Sequence, residues 1–209
     1  MAKLRLGVLA SGRGSNFKAI LTEIQRGRLD AEVCVLVSNK NSAGVLFYAT
    51  QSGIPAEYLS KKNFASPQEY DAEIVKIFNK YKVNFVVLAG YLKFLTPELI
   101  NYYPNRILNI HPVLLPSFGG EGMYGVHVHN AVLKRGCKIS GATVHLVDEI
   151  YDHGPIILQK SVPVLENDTE ETLAARVLIV EHEIFPKALQ LFAEDRIRIY
   201  DNRALILKK

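Results

Sequence analysis

The sequence has few cysteines and no apolar run of membrane-spanning length. A membrane-spanning helix needs about 20 predominantly apolar residues, so none is predicted. Two cysteines among 209 residues, Cys34 and Cys137, are too few for a disulfide framework. The first residues also lack the apolar stretch and cleavage site of a secretory signal. From these absences we expect a soluble, cytoplasmic protein.

Strong charge of either sign is missing as well. The 25 basic and 21 acidic residues give a net charge of +4, and no basic run is longer than two residues. A nucleic-acid-binding surface requires a denser basic stripe than this. We therefore expect small-molecule partners, with neither nucleic acid nor a membrane among them. A weak attraction for small polyanions stays open.

Several catalytic motifs are absent. No GxSxG segment is present, so the nucleophile of a Ser/His/Asp hydrolase is not predicted. Four histidines, at positions 127, 129, 145 and 153, lie within one stretch of the chain, but neither HExxH nor CxxC accompanies them. The sequence therefore predicts no metal site.

A glycine-rich turn, Gly12-Arg13-Gly14-Ser15-Asn16, follows the first apolar run. A dinucleotide fingerprint would need a third glycine where Phe17 stands and an acidic residue after the second strand, which ends in Ser38-Asn39-Lys40. No nicotinamide cofactor is predicted, and no lysine follows to form a P-loop. Backbone amides at a helix start suit a phosphate monoester. The alternative is a plain strand-to-helix turn capped by Ser15 or Asn16.

The first hundred residues alternate between consecutive apolar residues, typical of buried strands, and apolar residues at helical spacing. The predicted strands are 4–10, 33–37, 85–89 and 106–110, and the predicted helices begin near residues 15, 43, 66 and 96. Such alternation predicts an α/β fold with a doubly wound, mostly parallel sheet and a Rossmann-like N-terminal half.

The second half has a different pattern. Residues 119–125 contain four glycines and predict a flexible loop. Strands are predicted at 142–147 and 155–164, followed by a long helix over 169–192 that Pro186 should kink or break. A hairpin over 196–207 should turn at Asp201-Asn202. We expect a single domain, 1–209, with a nucleotide-binding half, 1–110, and a catalytic half, 111–209. Its crevice should lie at the carboxyl ends of the strands.

Two polar clusters could carry chemistry. Asn109 and His111 end a predicted strand and, two positions apart, face the same way. An amide beside an imidazole can stabilise a tetrahedral oxyanion, although Asn109 could instead cap a turn and His111 pack in a loop. The second cluster, Asp148-Glu149-Ile150-Tyr151-Asp152-His153, is either a solvated turn or the source of a carboxylate. Placed near His111, that carboxylate would raise the histidine's pKa.

Motifs along nearly the whole chain resemble those of the folate-dependent formyltransferase family. These motifs occur in the family's order, and the first two are the turn at 12–16 and Ser38-Asn39-Lys40. The others are Leu88-Ala89-Gly90-Tyr91-Leu92-Lys93-Phe94-Leu95, Leu108-Asn109-Ile110-His111-Pro112, Thr143-Val144-His145, Asp152-His153-Gly154-Pro155 and Glu181-His182.

The resemblance implies a role for each matched residue. Asn109, His111 and Asp152 correspond to the catalytic trio. Gly14, Ser15 and Asn16 correspond to the loop that holds a ribonucleotide phosphate. The rest of that substrate is assigned to Leu178, Ile179, Val180 and Glu181. The folate pocket is assigned to Asn109 and to two segments, Leu92-Lys93-Phe94-Leu95 and Asp148-Glu149-Ile150-Tyr151-Asp152.

The implied reaction moves a formyl group from 10-formyltetrahydrofolate to the amine of glycinamide ribonucleotide, in purine biosynthesis. It needs neither a metal nor a nicotinamide, and the protein should be a monomer or homodimer. Related formyltransferases that act on methionyl-tRNA or amino sugars, formyl-folate hydrolases and a non-catalytic binding module are the alternatives. Two features depart from the family pattern: Pro67 stands where some members have an arginine near the folate tail, and the loop after Pro116 is longer than in the shortest versions.

Overall fold

The central sheet places parallel strands first and antiparallel strands last. The computed structural model describes residues 3–208, so residues 1, 2 and 209 of the predicted domain lie outside it. Within the described part, seven strands pair in the order β3-β2-β1-β4-β5-β6-β7. The first five are parallel to one another, β6 pairs antiparallel with β5, and β7 pairs antiparallel with β6. They are β1 (Leu4–Ala10), β2 (Ala31–Ser38), β3 (Ala56–Tyr58), β4 (Phe85–Leu88), β5 (Ile107–His111), β6 (Ile139–Leu146) and β7 (Ile156–Pro163). The predicted mostly parallel α/β sheet is confirmed.

Helices cover both faces of this sheet. They are α1 (Ser15–Gln25), α2 (Gly44–Gln51), α3 (Pro67–Lys80), α4 (Pro97–Tyr102), α5 (Val126–Lys134) and α6 (Glu170–Ala193), with a short 3-10 helix at Lys61–Asn63. Phe85 and Val87 face the core beneath α1 and α6, while Val86 faces the core beneath α3 and α4. Both faces of β4 are thus buried, which explains its consecutive apolar residues.

Pro186 was predicted to kink or break the long helix, and the break does not occur, because α6 runs unbroken past this residue. Proline removes one backbone N–H and with it the hydrogen bond to the carbonyl four residues earlier. Pro186 and its neighbours Phe185, Ala188 and Leu189 are buried in the core. Apolar packing along the helix therefore outweighs the loss of one hydrogen bond.

The segments that were expected to be irregular or to turn behave as predicted. Residues 119–125 form no helix or strand. A separate hairpin, β8 (Ile197–Tyr200) and β9 (Arg203–Ile206), turns at Asp201 and Asn202, both with positive φ. Such a pair of φ values matches the twist of a tight hairpin. Among residues 3–208, no helix is long and apolar enough to cross a membrane.

The strand order reverses direction between β1 and β4. From β1 the chain builds outward to β2 and β3, then returns to the other side of β1 with β4 and β5. Loops leaving neighbouring strands on either side of such a point diverge and leave a crevice. Ser11 ties two of these loops together, because its N–H donates to the Gly90 carbonyl (3.1 Å) and its Oγ accepts from the Leu92 N–H (3.1 Å).

Candidate active site

A cavity of about 1180 Å³ opens at the carboxyl ends of β1, β4 and β5. Its wall includes the glycine-rich turn after β1, the segment after β4, the end of β5 and the loop 120–125. The turn after β6 and one side of α6 complete it. Most residues that the sequence marks as functional therefore share one space, in the predicted crevice.

Gly14 lets the glycine-rich turn enter α1 directly. It is the N-cap residue of α1, with φ 86°, a left-handed conformation that favours glycine. A Cβ at this position would lie 2.7 Å from Cγ2 of Val45 on α2. No side chain caps α1, so the alternative of a turn capped by Ser15 or Asn16 is wrong. The first backbone N–H groups of α1 can therefore donate to another partner, and an anion is a suitable acceptor.

Asn16 and Glu181 join the two ends of the domain beside this turn. The Asn16 Nδ2 donates to Glu181 Oε2 across 2.6 Å, and both residues are buried. Burial raises the pKa of Glu181, and the hydrogen bond from Asn16 opposes that shift. Both residues line the cavity, as does Leu178. The other two residues predicted in this segment point elsewhere: Ile179 is 69% exposed and Val180 packs in the core.

Asn109 and His111 lie side by side at the end of β5, as their spacing predicts. The antiparallel partner β6 places His145 opposite Asn109. The His145 Nδ1 lies 2.8 Å from the Leu146 carbonyl, so this nitrogen carries the proton. Its Nε2 therefore accepts from Asn109 Nδ2, 3.0 Å away. Asn109 is held in one orientation with a second amide hydrogen left over.

Asp152 lies between His111 and His145. Its Oδ2 accepts from the Gly120 N–H (2.9 Å) and lies 3.7 Å from His111 Nδ1. Its Oδ1 lies 3.6 Å from His145 Nε2. Burial acts to raise the pKa of Asp152, but its attraction to His145 and His111 when these rings are protonated, together with the Gly120 amide, outweighs burial, so the pKa falls below its usual value. The carboxylate is ionised at neutral pH.

The pKa of His111 shifts opposite to the expectation. Burial, the largest effect, lowers it, and Asp152 and the Phe118 carbonyl oppose this without reversing it. His111 Nε2 lies 3.1 Å from that carbonyl, where it donates. The sequence anticipated the carboxylate but not how deeply the imidazole is enclosed. In this structure the neutral form of His111 is favoured.

His145 is a site residue that the sequence reasoning did not select. It appeared only among the four histidines considered for a metal site and within a matched motif, yet its ring contacts both Asn109 and Asp152. A signal existed in the alternation of β6, where Thr143 and His145 are polar residues between the apolar residues Ala142, Val144 and Leu146. Its importance depends on antiparallel register with β5, which spacing along the chain does not reveal. Among residues 3–208, no three His, Cys, Asp or Glu side chains are placed to hold a metal ion.

The predicted folate walls form an aromatic edge of the cavity. Phe94 and Tyr151 stack at a tilt with ring centroids 4.7 Å apart, and both are exposed to the cavity. Exposed aromatic rings beside a crevice suit a flat heteroaromatic ligand. Glu149 is the exception in these segments, because it lies outside the cavity lining.

Residues 4–189 match the family described as formyl transferase. The chain belongs to this family. Among formyl transferases, the chloroplastic phosphoribosylglycinamide formyltransferase of Arabidopsis thaliana is 46% identical over 93% of this chain and 67% of that protein. The phosphoribosylglycinamide formyltransferase of Escherichia coli is 37% identical over 96% of this chain and 92% of that protein. The solved glycinamide ribonucleotide transformylase 1 of Symbiobacterium toebii superposes with a TM-score of 0.94 at 41% identity, covering 99% of this chain and 95% of that one.

The geometry of Gly14 leads to a test of whether the glycine-rich turn binds a phosphate. In Gly14→Val, the backbone must adopt a φ that is strained for valine, and the new side chain must clash with Val45. The turn should therefore shift, and its backbone N–H groups should no longer point toward the phosphate. We expect the KM for glycinamide ribonucleotide to rise by about tenfold or more, with the KM for the formyl-folate nearly unchanged. Steady-state kinetics with each substrate varied in turn measures this.

Gly27→Val is the matched control. Gly27 also has a positive φ of 68°, but a Cβ there meets nothing within 4 Å. It should lose stability from backbone strain and keep both KM values. If a folded Gly14→Val variant keeps its ribonucleotide KM, the turn does not bind the phosphate.

Proposed function

We propose that this chain transfers the formyl group of 10-formyltetrahydrofolate to the amine of N1-(5-phospho-D-ribosyl)glycinamide, a step of purine biosynthesis. The observation that carries the proposal is the cluster of Asn109, His111, His145 and Asp152 within one cavity that also contains the Gly14 turn. The cluster offers an oxyanion donor and a proton-handling pair, and the turn offers an anion site. The names of the relatives point to the same reaction.

The two substrates are assigned to opposite parts of the cavity. The ribonucleotide phosphate binds the amides at Gly14, Ser15 and Asn16, and Glu181 accepts hydrogen bonds from the sugar hydroxyls. The folate lies against Phe94 and Tyr151, which brings its N10 formyl group toward Asn109. In this arrangement both halves of the chain contribute to both substrates, because Phe94 and Asn109 lie in 1–110 and Glu181 lies in 111–209.

The substrate amine needs little activation. An α-amino-type group has a pKa of about 8, so roughly a tenth of it is neutral at pH 7. The neutral nitrogen attacks the formyl carbon, a carbon–nitrogen bond forms, and the carbonyl oxygen becomes an oxyanion. The remaining barrier is the charge separation in this tetrahedral intermediate.

Asn109 and His111 stabilise that intermediate. The free amide hydrogen of Asn109 donates to the oxyanion. His111 does so after exchanging the Phe118 carbonyl for the substrate oxygen. Burial favours the neutral form of His111, and the new negative charge favours its protonation. Burial, which lowers its resting pKa, also strengthens its attraction to the oxyanion.

Asp152 directs the proton transfer that completes the reaction. The attacking nitrogen releases a proton to the Asp152–His111 pair, directly or through a water molecule. The pair returns it to N10 of the folate as the bond between N10 and the formyl carbon breaks. Tetrahydrofolate and the formylated glycinamide leave, and no proton is gained or lost by the protein.

Incubation with 10-formyltetrahydrofolate and glycinamide ribonucleotide tests the proposal. We expect stoichiometric formation of tetrahydrofolate, followed by absorbance, and of formylglycinamide ribonucleotide, followed by mass spectrometry. Omission of the ribonucleotide should abolish folate turnover, and EDTA should have no effect. Turnover without the ribonucleotide would indicate a formyl-folate hydrolase, and binding without turnover would indicate a non-catalytic module.

A further inference from the structure

Thr143 is a buried polar residue of β6 that the mechanism above does not use. It lies opposite His111 on β5 and opposite Gln159 on β7, so the three side chains form one row on the same face of the sheet. Thr143 is 0% exposed, and it does not line the cavity. A hydroxyl at this depth must find its hydrogen-bond partners within the protein.

The hydroxyl of Thr143 makes every hydrogen bond that a hydroxyl can make. Its Oγ1 donates to the Val113 carbonyl across 2.6 Å and accepts from the Leu115 N–H across 3.0 Å. It also accepts from Gln159 Nε2 at 3.0 Å, and the same Nε2 donates to the Leu115 carbonyl at 2.9 Å. A hydroxyl has one hydrogen and two lone pairs, so all of its capacity is used. The backbone that follows β5 is therefore fixed to β6.

Leu115 transmits this constraint to Gly119. A Cβ on Gly119 would lie 2.8 Å from Leu115 Cδ2 and 3.2 Å from Asp152 Cβ. Gly119 is thus packed between these two side chains, with no room for one of its own. Leu115 is 5% exposed, so it has little freedom to move aside. The position of Leu115 therefore determines where Gly119 lies relative to Asp152.

The residues on either side of Gly119 contact the Asp152–His111 pair. The Phe118 carbonyl accepts from His111 Nε2, and the Gly120 N–H donates to Asp152 Oδ2. Both contacts come from backbone groups, so they depend on where the chain lies and not on side-chain identity. A small displacement of this segment would lengthen both hydrogen bonds.

We propose that Thr143 is a positioning residue for formyl transfer, an inference that rests on the proposed function. Its hydroxyl fixes the chain after β5, and the packing of that chain holds the two backbone groups against His111 and Asp152. Thr143 has no hydrogen-bonding capacity left for a substrate. Its contribution should therefore appear in kcat and in neither KM.

Thr143→Val tests this proposal, because valine is close to threonine in shape and lacks the hydroxyl. We expect kcat to fall by about ten- to a hundredfold, since small misplacements of catalytic groups have effects of this size. Both KM values should stay within about twofold of the wild type. Thr143→Ser keeps the hydroxyl and should restore most of the lost kcat.

Ser140→Ala is the matched control. Ser140 lies on the same strand and is 3% exposed, but its Oγ has no hydrogen-bond partner within residues 3–208. The variant removes a buried hydroxyl of β6 that fixes no other segment, so kcat should be unchanged. A folded Thr143→Val variant with the kcat of the wild type would overturn the proposal, as would equal losses in Thr143→Val and Ser140→Ala.

Solvent exchange of the Gly120 amide, measured by NMR, gives a readout that does not depend on turnover. In Thr143→Val the hydrogen bond from this amide to Asp152 should weaken, and exchange should become about tenfold faster. The amides of β1 and β4 should exchange as in the wild type, which separates a local effect from a general loss of stability. Unchanged exchange at Gly120 would contradict the proposal. If the wild type transfers no formyl group, the proposed function fails, and this measurement still decides whether Thr143 positions the segment.

Gln159→Leu provides a second variant if Thr143→Val does not fold. Gln159 is exposed on β7, at the edge of the sheet, so the loss of its two hydrogen bonds should leave the fold intact. We expect a smaller fall in kcat and a smaller rise in Gly120 exchange than for Thr143→Val. No change in either quantity would overturn the proposal.

Discussion

Asn109→Ala is expected to lower kcat by roughly 10²–10³-fold, the usual effect of deleting one oxyanion donor. Asn109 is fixed by its hydrogen bond to His145 Nε2, so its second amide hydrogen is aimed before the substrate arrives. A donor that acts mainly on the oxyanion contributes little to binding of the ground state. The loss should therefore appear in kcat and kcat/KM alike, with both KM values within about twofold of the wild type.

The control is Asn79→Ala. Asn79 is an exposed residue of α3 whose amide contacts Tyr102, away from the cavity. Asn79→Ala should retain full activity, which would show that the fall in kcat is specific to Asn109. A fall in kcat of less than about fivefold in a folded Asn109→Ala variant would remove Asn109 from the oxyanion site.

Asp152→Asn is expected to lower kcat by at least the same factor. Asparagine is nearly isosteric, and it tolerates the left-handed backbone of this position, where φ is 53°. Its side-chain oxygen can still accept from the Gly120 N–H. The variant thus removes the charge and the proton acceptor while the turn is preserved. The proton on the attacking nitrogen loses its route to N10, and the imidazolium of His111 loses its counter-ion.

The same substitution should move the pKa of His111 in a defined direction. Burial already lowers that pKa, and the Asp152 charge is what opposes the shift. Without the carboxylate the pKa must fall further. NMR titration of the His111 ring in the wild type and in Asp152→Asn measures the difference. Indistinguishable His111 values would rule out the interaction.

The fold was predictable where burial on both faces leaves a run of consecutive apolar residues. Strands β1, β2 and β4 were predicted for that reason. Helix α3 was predicted because Ser66 and Pro67 mark its start. Strand β3, three residues at the sheet edge, and α5, whose buried residues are few, carry too weak a pattern. The predicted effect of Pro186 followed from local helix propensity alone, and the packing around α6 outweighs that propensity.

The site was predictable only in part. The two-residue spacing of Asn109 and His111 follows from strand geometry, and the structure retains it. Asp152 could be placed near them only through the resemblance, because 41 positions of chain separate it from His111. The role of His145 depends on strand register. The direction of the His111 pKa depends on how many neighbouring elements enclose it, which no local pattern reports.

The hydrogen bond between Asn16 and Glu181 spans 165 positions of the chain. The end of the cavity beside Gly14 is therefore incomplete until α6 has docked against α1, even after β1 to β5 have paired. During synthesis, ligand affinity should appear late, as a single event, and not grow with each added strand. In the finished protein, a ribonucleotide that contacts both helices binds only the docked state and stabilises it by mass action. The bound substrate would therefore stabilise the last step of folding, the docking of α6 against α1.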